Sequence, residues 1–293
     1  MNLRQVEYFL AVFDHDGVSR AAIALRVSQP SLSQGLRALE RELGAELFHR
    51  VGRRMIPTPA GHSFVNHARR MMRDATTTRS VVASALGLSG GRLDLVGEAA
   101  LLSDPVAPLI GQFRRDHPQV QVRLTAPQAE SALVQTVRGG VSELGFAYLP
   151  QPLDGIEMQV IDTHEIFLVS PPGSPGDGTP IAIEELRGIR LVAVPRGSAQ
   201  RDFFDKLLQA ADVRPGMAVH VAQREAVLPM IISGAGPSVL PTPRAEEAAR
   251  RGATVRRFSP PIYRDIGLFH RTGDLSPAAD AFCALAAHRS TAY

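Results

Sequence analysis

The chain has one cysteine, Cys283, in 293 residues. No disulfide can form within it, and no cysteine-rich zinc site can be built. A long apolar run is missing too: nowhere are there the roughly 18 consecutive apolar residues that a membrane-spanning helix needs. The start, MNLRQVEYFLAVFDHDG, is too polar for a secretory leader. These absences lead us to expect a reducing cytoplasm and no membrane. Catalytic signatures are lacking: there is no Gly-x-Ser-x-Gly elbow, no His-Glu-x-x-His and no phosphate loop. The nine histidines are scattered, and His62 and His67 lie five apart, off the i,i+4 spacing that puts two ligands on one helical face. The expectation is a protein that is not an enzyme, with no catalytic residues, no cofactor and no metal.

What is present supports real cores: 44% of residues are hydrophobic and 21% charged. The length suggests two domains, or three. Lysine is nearly absent, Lys206 standing alone, so arginine carries the positive charge. Its placement is uneven. Residues 1–90 hold twelve arginines against seven acids, a balance of +5, and the net +3 leaves −2 for residues 91–293. That asymmetry points to an anionic partner for the first third, most often nucleic acid, or only to an arginine-biased codon usage. Composition leaves both open.

Leu3, Val6, Phe9, Leu10 and Phe13 recur at helical spacing and predict a first amphipathic helix, ended by DHDG. VSRAAIAL predicts a short second helix near Ser19–Leu25, with Ala21, Ala22 and Leu25 inward. After a tight turn, Ser28 can cap a third helix by accepting from the Ser31 N–H, and Pro30 is tolerated in the first turn. There Leu32, Leu36, Leu39 and Leu43 form one narrow stripe. The other face carries Pro30, Gln34, Arg37 and Arg41, with Ser33 on the flank. Gln and Arg can pair with base edges and Ser can reach bases or phosphates, while free N–H groups at a helix start favour phosphate. In a helix-turn-helix this end of the second helix enters the major groove. An ordinary capped surface helix is the competing reading. Leu47–Phe48 and Met55–Ile56 then read as strands around RVGRR, whose Arg50, Arg53 and Arg54 make either a DNA-contacting wing or a solvated basic loop.

The segment SRAAIALRVSQPSLSQGLRALERELGAELFHRVGRRMIPTPAG closely resembles the winged helix-turn-helix of LysR-type transcriptional regulators. The Ala-Ala pair, SQPSLS, LERELG, LFHR and the TPAG opening the next helix carry the match. The resemblance implies DNA contacts from Ser19 and Arg20, from Ser28, Gln29, Pro30 and Ser31, from Ser33, Gln34 and Arg37, and from Arg50, Arg53 and Arg54. Where many members have Ser-Phe-Thr before the arginine, this chain has DGVSRAA. Val18 is then a smaller core residue, and Ser19 replaces Thr as the polar group near DNA.

From Pro59 to about Leu86 a long helix is predicted, its one glycine, Gly61, in the first turn. Phe64, Ala68, Met71, Ala75, Thr78, Val82 and Ala85 form a heptad seam over about three heptads. Such a stripe needs a partner helix. Self-association is favoured over packing on its own domain, and in the resembling family this helix forms the dimer. GLSGG at 87–91 reads as a hinge.

Residues 91–293 change to alternating strands and helices, from RLDLVG and DPVAPLIGQFRRDHP through HEIFLVS and GIRLVAV to TVRRFS, IYRDIGLFHR and SPAADAFCALAAHR. Repeated βα units mean a parallel or mixed sheet covered by helices. GGRLDL, FRRDHPQVQVRL, VRGGVSELGFAY, IISGAGPSVLP and LSPAADAF also resemble the family's effector domain, so the likeness spans essentially the whole chain. The expected fold is a two-part α+β and α/β chain. A winged helix-turn-helix (1–58) and a linker helix (59–87) precede a periplasmic-binding-protein-like effector domain (91–293) of two α/β subdomains, I at 91–162 and 267–293, II at 163–266.

In such sheets ligands sit beyond the C-terminal strand ends. That places Glu98, Ala99, Ala100 and Leu101 after the first strand, Pro127 and Gln128 after the second with Ser131 nearby, and Tyr148 at the end of the third. Gly197, Ser198 and Arg201 open a helix where backbone N–H groups, a hydroxyl and a guanidinium can cradle a carboxylate. Gln223 opens the next helix and His270 is expected near the second crossing. Many members carry Ser or Thr where this chain has Ala99 and Ala100, so the first loop offers fewer hydroxyls. The resemblance implies double-stranded promoter DNA, a small organic inducer (a carboxylate among the options), RNA polymerase and a second copy, in a homodimer or homotetramer. A free-standing solute-binding protein would suit residues 91–293 but leaves residues 1–90 unexplained.

Overall fold

The structure is a computed structural model, and it describes residues 1–52, 54–85, 90–127, 131–149, 155–176, 178–194 and 198–290. Arg53, Gln128, Gly197 and the glycine-rich segment at 87–89 therefore lie outside the described residues.

The head runs α1 (Leu3–His15), α2 (Val18–Ala24), α3 (Gln29–Leu43), β1 (Phe48–Val51), β2 (Arg54–Pro57) and α4 (Pro59–Ala85). α1 begins where Asn2 and Gln5 each accept from the other's backbone N–H at 2.9 Å. α3 ends at Gly44, whose φ of +67° favours a residue without a Cβ. Val6, Phe9, Val12, Ala21, Leu32, Leu36 and Leu39 form one core. Gly35 lets α3 lie against α1, since a Cβ there would come within 2.6 Å of the Tyr8 ring. Leu43, placed by its spacing in the buried stripe, is 41% exposed at the last helical position. The TPAG motif has a local explanation. Thr58 Oγ1 donates to the Glu46 carbonyl at 2.8 Å and accepts from the Gly61 N–H at 3.0 Å, capping α4. A side chain at Gly61 would collide with the Leu47 carbonyl of the wing.

The linker helix divides its seam between two tasks. Phe64 packs edge-on against Phe9 with ring centroids 4.9 Å apart, and Ala68 and Met71 join the same core. Further along, Val81 and Val82 are 48% and 55% exposed within a single chain. Packing on its own domain thus accounts for Phe64, Ala68 and Met71 of the seam and leaves Thr78 and Val82 exposed.

The second part follows as β3 (Gly91–Gly97), α5 (Ala107–Asp116), β4 (Val120–Thr125), α6 (Ser131–Arg138), β5 (Leu144–Tyr148), β6 (Ile156–Ser170), β7 (Arg190–Ala193), α7 (Ala199–Ala210), β8 (Gly216–His220), α8 (Val227–Ile232), β9 (Ser238–Pro241), α9 (Thr242–Arg250), β10 (Thr254–Arg271) and α10 (Pro277–Ser290). One sheet has the order β4-β3-β5-β10-β6-β9. β3 is parallel to β4 and β5, while β10 is antiparallel to β5 and β6. β7 and β8 form a parallel pair, tied on by the Val192 N–H donating to the Pro237 carbonyl at 2.7 Å. The two long strands serve two cores. Ile161, Ile266 and Leu268 pack with Phe113, Phe146 and Phe282 in one lobe. Ile166, Leu168 and Phe258 pack with Leu191 and Phe204 in the other.

Both long strands exceed their sequence reading. β6 begins at Ile156, well before HEIFLVS, because its first half is largely exposed and shows no clean alternation. TVRRFS and IYRDIGLFHR are one strand, since Pro260 and Pro261 sit in a register shift between Arg257 and Ile262 where no ladder donor is needed. Among the described residues, no helix is long and apolar enough to cross a membrane.

Candidate DNA interface and effector cleft

α3 presents its start to solvent. Ser28 Oγ accepts from the Ser31 N–H at 3.3 Å, as its position implied. Ser19 Oγ donates to Gln29 Oε1 at 3.2 Å, fixing that side chain back onto α2. Arg20, Pro30, Ser31, Gln34 and Arg37 are exposed and Ser33 is half-buried. A groove of about 1070 Å³ runs along this face, lined by Gln29, Pro30, Ser33, Gln34, Arg37 and Arg41 among others. Glu40 also lines the groove and accepts from the Leu47 N–H at 2.9 Å. On the wing, Arg50 Nε donates to the Gly52 carbonyl at 3.4 Å and Arg54 is exposed. Among the described residues the ion pairs of the head are Met1–Glu42, His49–Glu46 and Arg69–Asp14; Glu46 lines one end of the groove, and Arg37 and Arg41 take part in none of these pairs. Its guanidiniums are left for an external anion.

The cleft between the lobes is built differently. At the end of β5 the Tyr148 hydroxyl meets His164 Nδ1 at 2.8 Å, and His164 Nε2 meets Asp104 Oδ2 at 3.2 Å. The Tyr148 N–H donates to Glu98 Oε1 at 2.8 Å. The Arg264 guanidinium lies 3.8 Å from the Tyr148 ring centroid and 4.5 Å from that of Phe203 on α7. One arginine thus stacks between an aromatic ring of each lobe. Arg224 Nη1 donates to Gln200 Oε1 at 3.0 Å, and Gln200 Nε2 to the Val239 carbonyl at 2.8 Å. Burial pushes the Tyr148 phenol well above its ordinary range; Arg264 and Arg224 oppose that shift, while Glu98 and Asp104 add to it. Glu98, Tyr148, His164, Ser198, Gln200 and Arg264 are all buried, so side chains fill the hinge.

Several residues named from the sequence sit elsewhere. Leu101 is wholly buried in the first lobe's core and cannot line an open cleft. His270 pairs with Leu144, at the opposite end of β5 from Tyr148, roughly 13 Å away at about 3.3 Å per residue. Ser198 caps α7 by accepting from the Arg201 N–H at 3.3 Å. Arg201 itself turns to Asp205 at 2.8 Å and to Met217 Sδ. Ala99 and Gln223 are exposed and Ala100 packs on the core. The sequence reading missed Asp104, His164, Phe203 and Arg264. The available signal was a basic and an acidic residue, Arg264 and Asp265, between the apolar residues Ile262 and Ile266 of β10.

The linker helix is docked on the first lobe. Arg73 Nε donates to the Gly140 carbonyl at 2.6 Å, and Arg271 pairs with Asp74 at 3.7 Å. Burial pulls the Arg73 pKa down, partly countered by Glu143 and Asp94. A cavity of about 250 Å³ lies between them, lined by Leu10, Arg69, Met72, Arg92 and Val141 among others.

Comparison with known proteins agrees with both halves. Residues 3–62 match the family model described as bacterial regulatory helix-turn-helix protein, lysR family, and residues 86–290 match the LysR substrate binding domain. The chain is 30% identical over 288 residues to the RuBisCO operon transcriptional regulator of Allochromatium vinosum, covering 96% of this chain and 94% of that protein. It is 26% identical over 284 residues to YybE of Bacillus subtilis, an uncharacterised HTH-type transcriptional regulator, covering 96% and 97%. A full-length OxyR variant from Pseudomonas aeruginosa superposes with a TM-score of 0.78 at 25% identity, over 98% of this chain and 93% of that one. Full-length CbnR in complex with its target DNA superposes with a TM-score of 0.68 at 26% identity, over 99% and 100%. A helix-turn-helix head joined through a long helix to a two-lobed domain, matched along nearly its whole length, places the chain in the LysR family of DNA-binding transcriptional regulators with a C-terminal effector-binding domain.

Proposed function

We propose that this chain is a cytoplasmic, sequence-specific regulator, not an enzyme, whose promoter binding responds to a small organic ligand. The observation that carries this is the start of α3, where Gln34 and Arg37 stand exposed with no acid paired to them among the described residues. Gln34 and Arg37 read base edges, and Ser28, Ser31, Arg50, Arg53 and Arg54 hold the phosphate backbone. Two heads are brought together by the exposed part of α4, around Val81 and Val82, in a homodimer or a homotetramer. RNA polymerase is the downstream partner.

The ligand acts where the lobes meet, at Tyr148, Arg264 and Phe203. It can shift the equilibrium only by binding one lobe arrangement better than another. Arg73, donating to Gly140 of the first lobe, is the route by which that shift reaches the linker helix. The test is fluorescence-anisotropy titration of the purified chain against a duplex from its own upstream region and an unrelated duplex, at two salt concentrations. Tighter binding to the upstream duplex, with affinity falling as salt rises, supports the reading. Equal binding to both would reject it.

A further inference from the structure

The hinge holds a cluster that the effector reading does not use. Asp162 and His164 lie two apart on β6, so both side chains point to the same face. Asp104 reaches that face from the Leu102–Val106 turn of the first lobe, 60 residues away in sequence. One ligand atom from each of the three lies within 4.8 Å of the others. We propose that Asp104, Asp162 and His164 form a binding site for one divalent first-row transition-metal ion.

Three features carry this beyond a grouping of acids. The first is spacing. Ligand atoms about 2.0 Å from a tetrahedral metal are about 3.3 Å from one another, and His164 Nε2 and Asp104 Oδ2 are 3.2 Å apart. The second is the support behind the imidazole. His164 is 3% exposed, and its Nδ1 is held by the Tyr148 hydroxyl at 2.8 Å. Metal-binding histidines are fixed this way, with one ring nitrogen on an oriented partner and the other facing the ion. The third is charge. Asp104 and Asp162 together match the charge of a divalent ion, and Glu98 adds a third carboxylate near Tyr148. The opposing guanidiniums are Arg264, stacked on the Tyr148 and Phe203 rings, and Arg224, which donates to Gln200 Oε1.

The donor set narrows the ion. One imidazole with two carboxylates suits Zn²⁺, Co²⁺, Mn²⁺ or Fe²⁺, whereas Mg²⁺ prefers an all-oxygen octahedron and Cu⁺ needs thiolates. Asp104 and Asp162 are only partly buried, which leaves an entry path and open coordination positions. Bound there, the ion joins the Leu102–Val106 turn to the strand shared by both lobes. No motif spacing reveals this, because the third ligand comes from a distant turn.

The test uses the full chain, stripped with EDTA and dialysed, and needs no DNA, so its failure is distinct from failure of the regulatory reading. Calorimetric titration with Zn²⁺ should show one ion per chain, and Co²⁺ should develop visible absorption. Mg²⁺ should give neither. Asp162→Asn should weaken Zn²⁺ binding at least tenfold while the chain stays folded by circular dichroism, and His164→Gln should do the same. Tyr148→Phe, which removes only the support, should cost roughly 10–100-fold. Absence of saturable Zn²⁺ and Co²⁺ binding would overturn the proposal. Equal binding by wild type and Asp162→Asn would also overturn it, assigning the ion to other histidines.

Discussion

The reading face of α3 and the hinge between the lobes both use arginine, in opposite ways. Arg37 and Arg54 stand in solvent with no ion pair among the described residues. Arg264 is buried between two aromatic rings, beside a tyrosine, a histidine and carboxylates already bonded to one another. The first arrangement is ready for a partner that brings its own negative charge, and binding there displaces only water and counterions. The second already makes its contacts within the protein. A ligand entering the hinge must replace contacts the protein already makes, so its net effect is a difference between two bonded states. That suits a switch better than a tight store.

The largest expected effect comes from the exposed part of the linker helix. Val82→Glu places like charges across a paired seam. Sedimentation velocity should show monomers, and loss of two-headed binding should weaken operator affinity about 100-fold or more. Val82 sharpens the test because Met71, further up the same seam, belongs partly to the head's own core. A Val82→Glu dimer with full affinity would move the interface elsewhere.

Next come the two arginine classes themselves. Arg264→Ala removes a desolvated cation from two rings and should cost about 2 kcal/mol or more in urea denaturation of the chain. Arg37→Ala removes an exposed one and should change stability by less than about 0.5 kcal/mol. Equal costs would erase the distinction between the two regions. On the wing, Arg54→Ala should weaken binding to all duplexes alike and lower the slope of log affinity against log salt by about one.

The smallest effect concerns Cys283. Burial, with Asp280 and Glu143 adding, pushes its thiol up to about 12, so it stays protonated at neutral pH. Iodoacetamide at pH 8 should modify the native chain far more slowly than the chain in urea. Equal rates would mean that the last helix does not shelter it.

The head was legible in sequence because its signals are local. Ser28 capping α3, the leucine stripe and the TPAG start of α4 each depend on residues a few positions apart. The hinge was not, because it joins Glu98, Asp104, Tyr148, His164, Phe203 and Arg264 from five segments. Strand-end reasoning reached Tyr148 and the Ser198 cap, but could not tell that Arg201 bonds to Asp205 while Phe203 meets Arg264. His270 was misplaced for a related reason. The position at which a long strand crosses between lobes depends on register, and β10 pairs Ile266, not His270, with Tyr148.

The central claim is that the exposed start of α3 reads DNA sequence. Selection of bound duplexes from a random pool tests it most directly, run with wild type and with Gln34→Ala. Wild type should enrich a near-palindromic motif with two half-sites about one or more helical turns apart. Gln34→Ala should keep the motif but lose preference at one position in each half-site, a change of about 1–3 kcal/mol in discrimination. Enrichment of the same motif at every position by both proteins, or of none by wild type, would contradict the account.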